Sequence, residues 1–145
     1  MADGCWAGGR WVAWGTQNRE TALRKIEDSH FEIKTFDGLA NVYLAIAAVL
    51  ASGTKGVEDK LELTLGDCLK DPAQLSEEEQ KILGISKMLP KDLPTALQHL
   101  GDDKELVELM TEGIVNRYIA VKKGEMEFLS GMSEADKRRW IMERY

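Results

Sequence analysis

The chain has 145 residues, 43% of them apolar and 30% charged, enough for one folded domain with its own core and far from a disordered composition. Its net charge of −6 and lack of a basic stripe argue against a nucleic-acid partner. The longest apolar run, Val42 to Ala51, is too short to cross a bilayer, so no membrane partner is expected. No positive segment followed by an apolar one opens the sequence, as a signal peptide would require, and a cytoplasmic setting is the expectation.

Residues 1–38 hold three of the four tryptophans and short alternating patterns. Trp11 to Trp14 and His30 to Phe36 are predicted as strands, bounded by the turn-formers Gly15 to Asn18 and Asp28-Ser29. Trp6, Trp11 and Trp14 fit core or interface packing better than a ligand box. Cys5 and Cys68 are the only cysteines, with no CxxC pair and no histidine near them. That argues against a zinc site and gives a disulfide no support, so two free thiols are the expectation.

Residues 39–145 are predicted to be helical. A buried helix is expected from about Asn41 to Ser52, closed by Gly53 and Gly56. After a loop through Asp71-Pro72, Ser76 and Glu79 form a capping box for a short helix ending at Gly84. Asp92 caps a helix with Pro94 in its first turn, and Asp102 and Glu105 open the next one after Gly101. From Gly113 to Leu129, the residues Val115, Tyr118, Ile119, Met126 and Leu129 recur at helical spacing. Ser133 caps a last helix whose Lys137-Arg138-Arg139 run reads as a solvated face. His99 reads as a surface residue near a helix end.

The chemistry concentrates between Trp14 and Tyr43. Arg19, Arg24, His30, Glu32 and Lys34 fall on what should be two neighbouring strands. Alternation puts His30, Glu32 and Lys34 on one face and Phe31 and Ile33 on the other. A carboxylate between two cations suits a place where a metal ion meets phosphate oxygens. The same pattern also fits a solvated strand face with an ordinary ion pair.

Several segments resemble one family. Asn18-Arg19-Glu20, Leu23 to Ile26, Phe31 to Lys34, Asp37-Gly38 and Ala40 to Leu44 are similar, in order and spacing, to the C-terminal part of the glutamine synthetase catalytic domain. Leu89-Pro90 to Ala96-Leu97, Tyr118 to Glu125 and Trp140 to Tyr145 extend the likeness over nearly the whole chain. It is especially similar to the glutamine synthetase-like domains of fungi, some of them fused to an amidohydrolase-like domain.

The resemblance implies an α+β fold: short antiparallel strands from the edge of the family's catalytic sheet, then a mostly helical half. It implies an ATP-dependent ligase that phosphorylates a γ-carboxylate and forms an amide with ammonia or another amine. ATP, glutamate and the amine would be its small-molecule partners, Mg²⁺ or Mn²⁺ its metal, and a ring-shaped homo-oligomer its parent assembly. Arg19 matches an arginine facing the glutamyl phosphate, and Arg24 one on the ATP phosphates. His30 stands where many relatives carry a nucleotide-phosphate arginine, and Glu32 matches a metal ligand. Lys34 replaces an arginine on the transferred phosphate, keeping the charge and losing the planar fork. Val42 replaces a proline after Asn41.

The family's other metal ligands, its ammonium-site aspartate and its N-terminal domain lie upstream of the stretch matched. The expectation is therefore a partial domain, 1–38 carrying the site residues and 39–145 helical, inactive alone. A non-catalytic glutamine synthetase-like module for assembly or signalling is the alternative.

Overall fold

A computed structural model of the protein describes residues 8–144. The tryptophan and cysteine expectations at Trp6 and Cys5, and the terminal Tyr145, lie outside them. The chain divides into two compact units, 8–38 with 56–96 and 39–55 with 97–144.

The first unit holds a three-stranded sheet in the order β1 (Trp14–Thr16), β2 (Leu23–Glu27), β3 (His30–Ile33). β2 and β3 are antiparallel, as expected, joined at the turn Asp28-Ser29 where Asp28 takes φ +37°. An aspartate tolerates that left-handed backbone better than most residues. The register slips between Lys25 and Glu27, so Glu27 faces His30 across a bulge.

β1 pairs with β2 in parallel, which corrects the expectation of antiparallel strands throughout. The cause lies in the six residues between them. The side-chain amide of Asn18 donates to the carbonyls of Cys68 (2.6 Å) and Lys70 (2.7 Å), and its oxygen accepts from Glu20 N (2.9 Å). The buried Thr21 hydroxyl contacts the carbonyl oxygens of Asn18 and Leu23, each at 3.0 Å. These bonds fold 17–22 into a loop tight enough to return the chain alongside β1 in the same direction.

The strands also shift from their expected ends. Residues 10–12 run against 87–89 through Val12 N to Lys87 O (2.9 Å) and Leu89 N to Arg10 O (2.7 Å), while Trp11 makes an isolated bridge with Met88. The sheet proper begins at Trp14, and β3 stops at Ile33, short of Phe36. Gly15, expected in a turn, lies within β1 because the Cys68 backbone passes over it. A Cβ there would stand 2.1 Å from the Cys68 carbonyl oxygen.

The core of this unit gathers Ala13, Cys68 and Ile85, with Trp11, Leu75 and Leu83 packed on it. Burial pushes the Cys68 thiol up from its ordinary value, and its Sγ–H donates to Lys70 O at 3.2 Å. α2 (Glu77–Ile82) begins with the expected capping box: Ser76 Oγ accepts from Glu79 N (3.2 Å), and Glu79 Oε2 accepts from Ser76 N (2.9 Å). It ends before Gly84, at φ +71°.

The second unit is helical. α1 (Val42–Glu58) opens on Asn41, whose Oδ1 accepts from Tyr43 N and Leu44 N at 3.1 Å each. It passes through Gly53 and Gly56 instead of stopping at them. The stop is Lys60, in the left-handed region at φ +54°, with Leu61 N on Gly56 O and Lys60 N on Val57 O. The expected burial of this helix is not found: α1 buries no residue fully, and Tyr43 is 83% exposed.

α3 (Leu93–Asp102) carries Asp92 before it and Pro94 in its first turn, as expected. It continues through Gly101 and Asp102, so Asp103, not Asp102, caps α4 (Lys104–Leu109). α5 (Glu112–Ser130) turns Val115 into the interior. α6 (Glu134–Arg144) starts on Ser133, whose Oγ accepts from Asp136 N at 3.2 Å, and Trp140 meets Phe128 with ring centres 5.6 Å apart. Lys137 pairs with Glu134, Arg138 and Arg139 are exposed, and so is His99. Among the described residues, no helix is long and apolar enough to cross a membrane.

Candidate functional site

Register decides which of the charged residues meet. Arg24 on β2 faces Glu32 on β3 across the antiparallel pair, and Arg24 Nη1 lies 3.3 Å from Glu32 Oε2. The arginine side chain is only 15% exposed and the carboxylate 44%, so the pair sits at the edge of burial, where attraction is screened less than between two surface charges. Arg24 Nη2 donates to Gln17 Oε1 at 2.8 Å, and the Gln17 amide donates in turn to the carbonyl of Ile26. Its Nε–H is buried and has no hydrogen-bond partner among the described residues. The guanidinium is thus held on two sides and short of one acceptor, a defect that buried polar groups seldom carry.

Lys34 follows β3 directly. Its backbone N–H donates to Ala22 O at 2.9 Å, and its ammonium donates to the carbonyl of Arg19. The end of β3 is therefore tied to the loop that carries Arg19. Lys34 also lines an open cleft of about 620 Å³ with Arg10, Asp37 and Lys91. His30, at the bulge, is exposed.

The structure brings Arg24 to Glu32 and Lys34 to the Arg19 loop. His30 and Lys34 are not the cations found paired with Glu32, because alternation along one strand says nothing about the opposite strand. Gln17 and Asn18, which hold Arg24 and the loop in place, were read as turn-formers, with Asn18 also part of a segment carrying the resemblance, and neither was assigned this role. Their signal was their position between two strands, where an amide bonds the backbone more readily than it bonds a ligand.

Fit to a metal ion follows from the donor set. Among the described residues, no group of three or more His, Cys, Asp or Glu side chains is placed to hold one. Glu32 brings one carboxylate, already engaged by Arg24, and a hard divalent ion needs about six oxygen ligands. These residues do not by themselves make a metal site. An oxyanion asks less of the donor set, since a single guanidinium can bind one through two parallel N–H groups.

The chain matches the family model "Glutamine synthetase, catalytic domain" over residues 1–145. It is 51% identical over 145 residues to protein fluG of Emericella nidulans, covering all of this chain and 17% of that protein. It is 29% identical over 136 residues to a glutamine synthetase of Staphylococcus epidermidis, covering 90% of this chain and 30% of that one. A solved structure described as apo GmaS without ligand matches with TM-score 0.63 and 26% identity, over 91% of this chain and 30% of that one. A GmaS/ADP complex shares the fold at TM-score 0.65 and 24% identity, over 96% of this chain and 31% of that one. The chain thus spans less than a third of the length of each of these relatives.

Proposed function

The chain belongs to the glutamine synthetase catalytic-domain family, and from that premise we propose that it supplies the phosphate-facing part of an ATP-dependent carbon–nitrogen ligase site. The observation that supports this most is the Arg24 guanidinium: clamped by Glu32 and Gln17, mostly covered, and with its buried Nε–H lacking an acceptor among the described residues. Such a group is preorganised for an oxyanion, and preorganised charge is the main thing a protein adds to phosphoryl transfer. Arg24 and Arg19 would bind and orient phosphate oxygens, and the Lys34 ammonium would neutralise charge on the group transferred. Glu32 holds Arg24 in place and offers one carboxylate to a metal site completed by residues outside this chain. When bound, ATP supplies the phosphoryl group that activates a γ-carboxylate toward ammonia or another amine.

The Arg24–Glu32 pair also favours a second reading. A carboxylate already neutralised by an arginine can be purely structural, as in a non-catalytic module of the same family. Nucleotide binding separates the two. We expect ADP titrated into the 145-residue chain to move NMR signals of residues 17–34 at low salt. The effect should weaken severalfold in Arg19→Ala and as salt rises from about 0.05 to 0.3 M. Signals that stay still at low salt would favour the non-catalytic module.

A further inference from the structure

Gln17 follows β1 in a backbone conformation that glutamine rarely takes, with φ +57°. Outside glycine, asparagine and aspartate, a left-handed residue is strained, because its Cβ crowds the following carbonyl oxygen. The turn itself needs only a backbone here. Gln17 N donates to Lys25 O at 2.8 Å, a bond that glycine would make without strain. The strain is therefore kept at a position where the side chain has a use of its own.

That residue is exposed, yet both ends of its amide are committed. Oε1 accepts from Arg24 Nη2 at 2.8 Å, and Nε2 donates to the carbonyl of Ile26. The bond to Ile26 fixes which way the amide faces, so that its oxygen meets Arg24. An exposed glutamine held in this way loses rotamer freedom. What results is a fixed guanidinium: Glu32 lies against Nη1, and Gln17 holds Nη2. Charge distinguishes the two holders. Glu32 already balances the positive charge of Arg24, and a second carboxylate would make the group net negative and repel a phosphate. An amide orients the arginine and adds no charge.

We propose that Gln17 is a positioning residue, a neutral clamp that holds the Arg24 guanidinium ready for a phosphate oxyanion without adding negative charge. This rests on the phosphate-facing reading of Arg24, and it makes oxyanion affinity depend on an uncharged side chain in the loop between β1 and β2.

The test uses the 145-residue chain, ADP as the probe, and the Arg24 Nε–H NMR signal as the report on the guanidinium. In the wild type that signal should exchange slowly with solvent, as a buried N–H does. Gln17→Met keeps the length of the side chain and removes both bonds. The Arg24 signal should then exchange severalfold faster and ADP should bind severalfold more weakly, while the circular dichroism spectrum stays unchanged. Gln17→Glu should keep the Arg24 signal protected and still weaken ADP severalfold, an effect that a merely structural role would not produce. If Gln17→Met fails to fold, Gln17→Gly makes the same comparison without backbone strain. The proposal is overturned if Arg24 exchanges in the folded Met or Gly variant as it does in the wild type. It is equally overturned if Gln17→Glu binds ADP as tightly as the wild type. Should ADP move no wild-type signal, the phosphate-facing reading fails instead, and the clamp is judged on the Arg24 signal alone.

Discussion

Glu79 shows how much one side chain can be committed without being buried. Its carboxylate accepts from the Ser76 backbone N–H and hydroxyl and pairs with Lys70 at 2.9 Å, and these bonds lower its pKa to about 2 from an ordinary 4.5. A carboxyl depressed in the folded state stabilises fully above its unfolded pKa and loses that contribution as pH falls toward the folded value. Glu79→Gln keeps a capping-box residue but removes the charge. The wild type should therefore lose stability more steeply than Glu79→Gln between pH 4.5 and about 2, read as unfolding midpoint against pH. Parallel curves would show that the charge contributes nothing.

Lys34 poses the complementary question at the site. A lysine ammonium is a point charge, where an arginine fork would bind an oxyanion in two places. In a protein that carries this chain within a whole catalytic domain, Lys34→Arg should keep or raise the rate of phosphate release. Lys34→Ala should lower it by about tenfold or more. Equal rates in all three proteins would remove Lys34 from the phosphate. The sequence named these site residues through spacing and resemblance, but it could not name their partners. That Glu32 meets Arg24, and that Arg24 needs Gln17, are facts of cross-strand register, which no local pattern encodes.

At the scale of elements, caps were the most legible feature. Ser76, Asp92 and Ser133 each stand where a local side chain can satisfy the first turn, and each helix follows. Glycines were the least legible. Gly53 and Gly56 were read as stops, but α1 runs through them to a left-handed Lys60. Gly15 was read as a turn, but it is a strand residue without a side chain because another backbone needs the space. The two uses separate in a simple comparison. Gly15→Ala should cost more than about 2 kcal/mol, since the neighbour in the way is backbone and cannot swing aside. Gly124→Ala, inside α5 with open space around it, should stabilise by about 0.5–1 kcal/mol. Chemical denaturation of the two variants decides it, and similar costs for both would contradict the close approach at Cys68.

For the whole molecule, the α+β architecture and the family were both readable from sequence, because motif order and spacing extend over most of the chain. The parallel pairing of β1 with β2 and the exposure of α1 were not, because each depends on what lies across space from the segment. A share of 17–30% of the curated relatives' lengths bears directly on function, since the ligands of a metal and the walls of a substrate pocket need not all lie in this stretch. The central claim is that these residues are one part of a ligase site and need the rest of a catalytic domain to turn over. Phosphate release by the 145-residue chain, with ATP, glutamate, an amine and Mg²⁺ or Mn²⁺, tests it most directly, with Glu32→Ala as control. The account predicts no turnover above the uncatalysed background in either protein, and turnover by the wild-type chain that disappears in Glu32→Ala would contradict it.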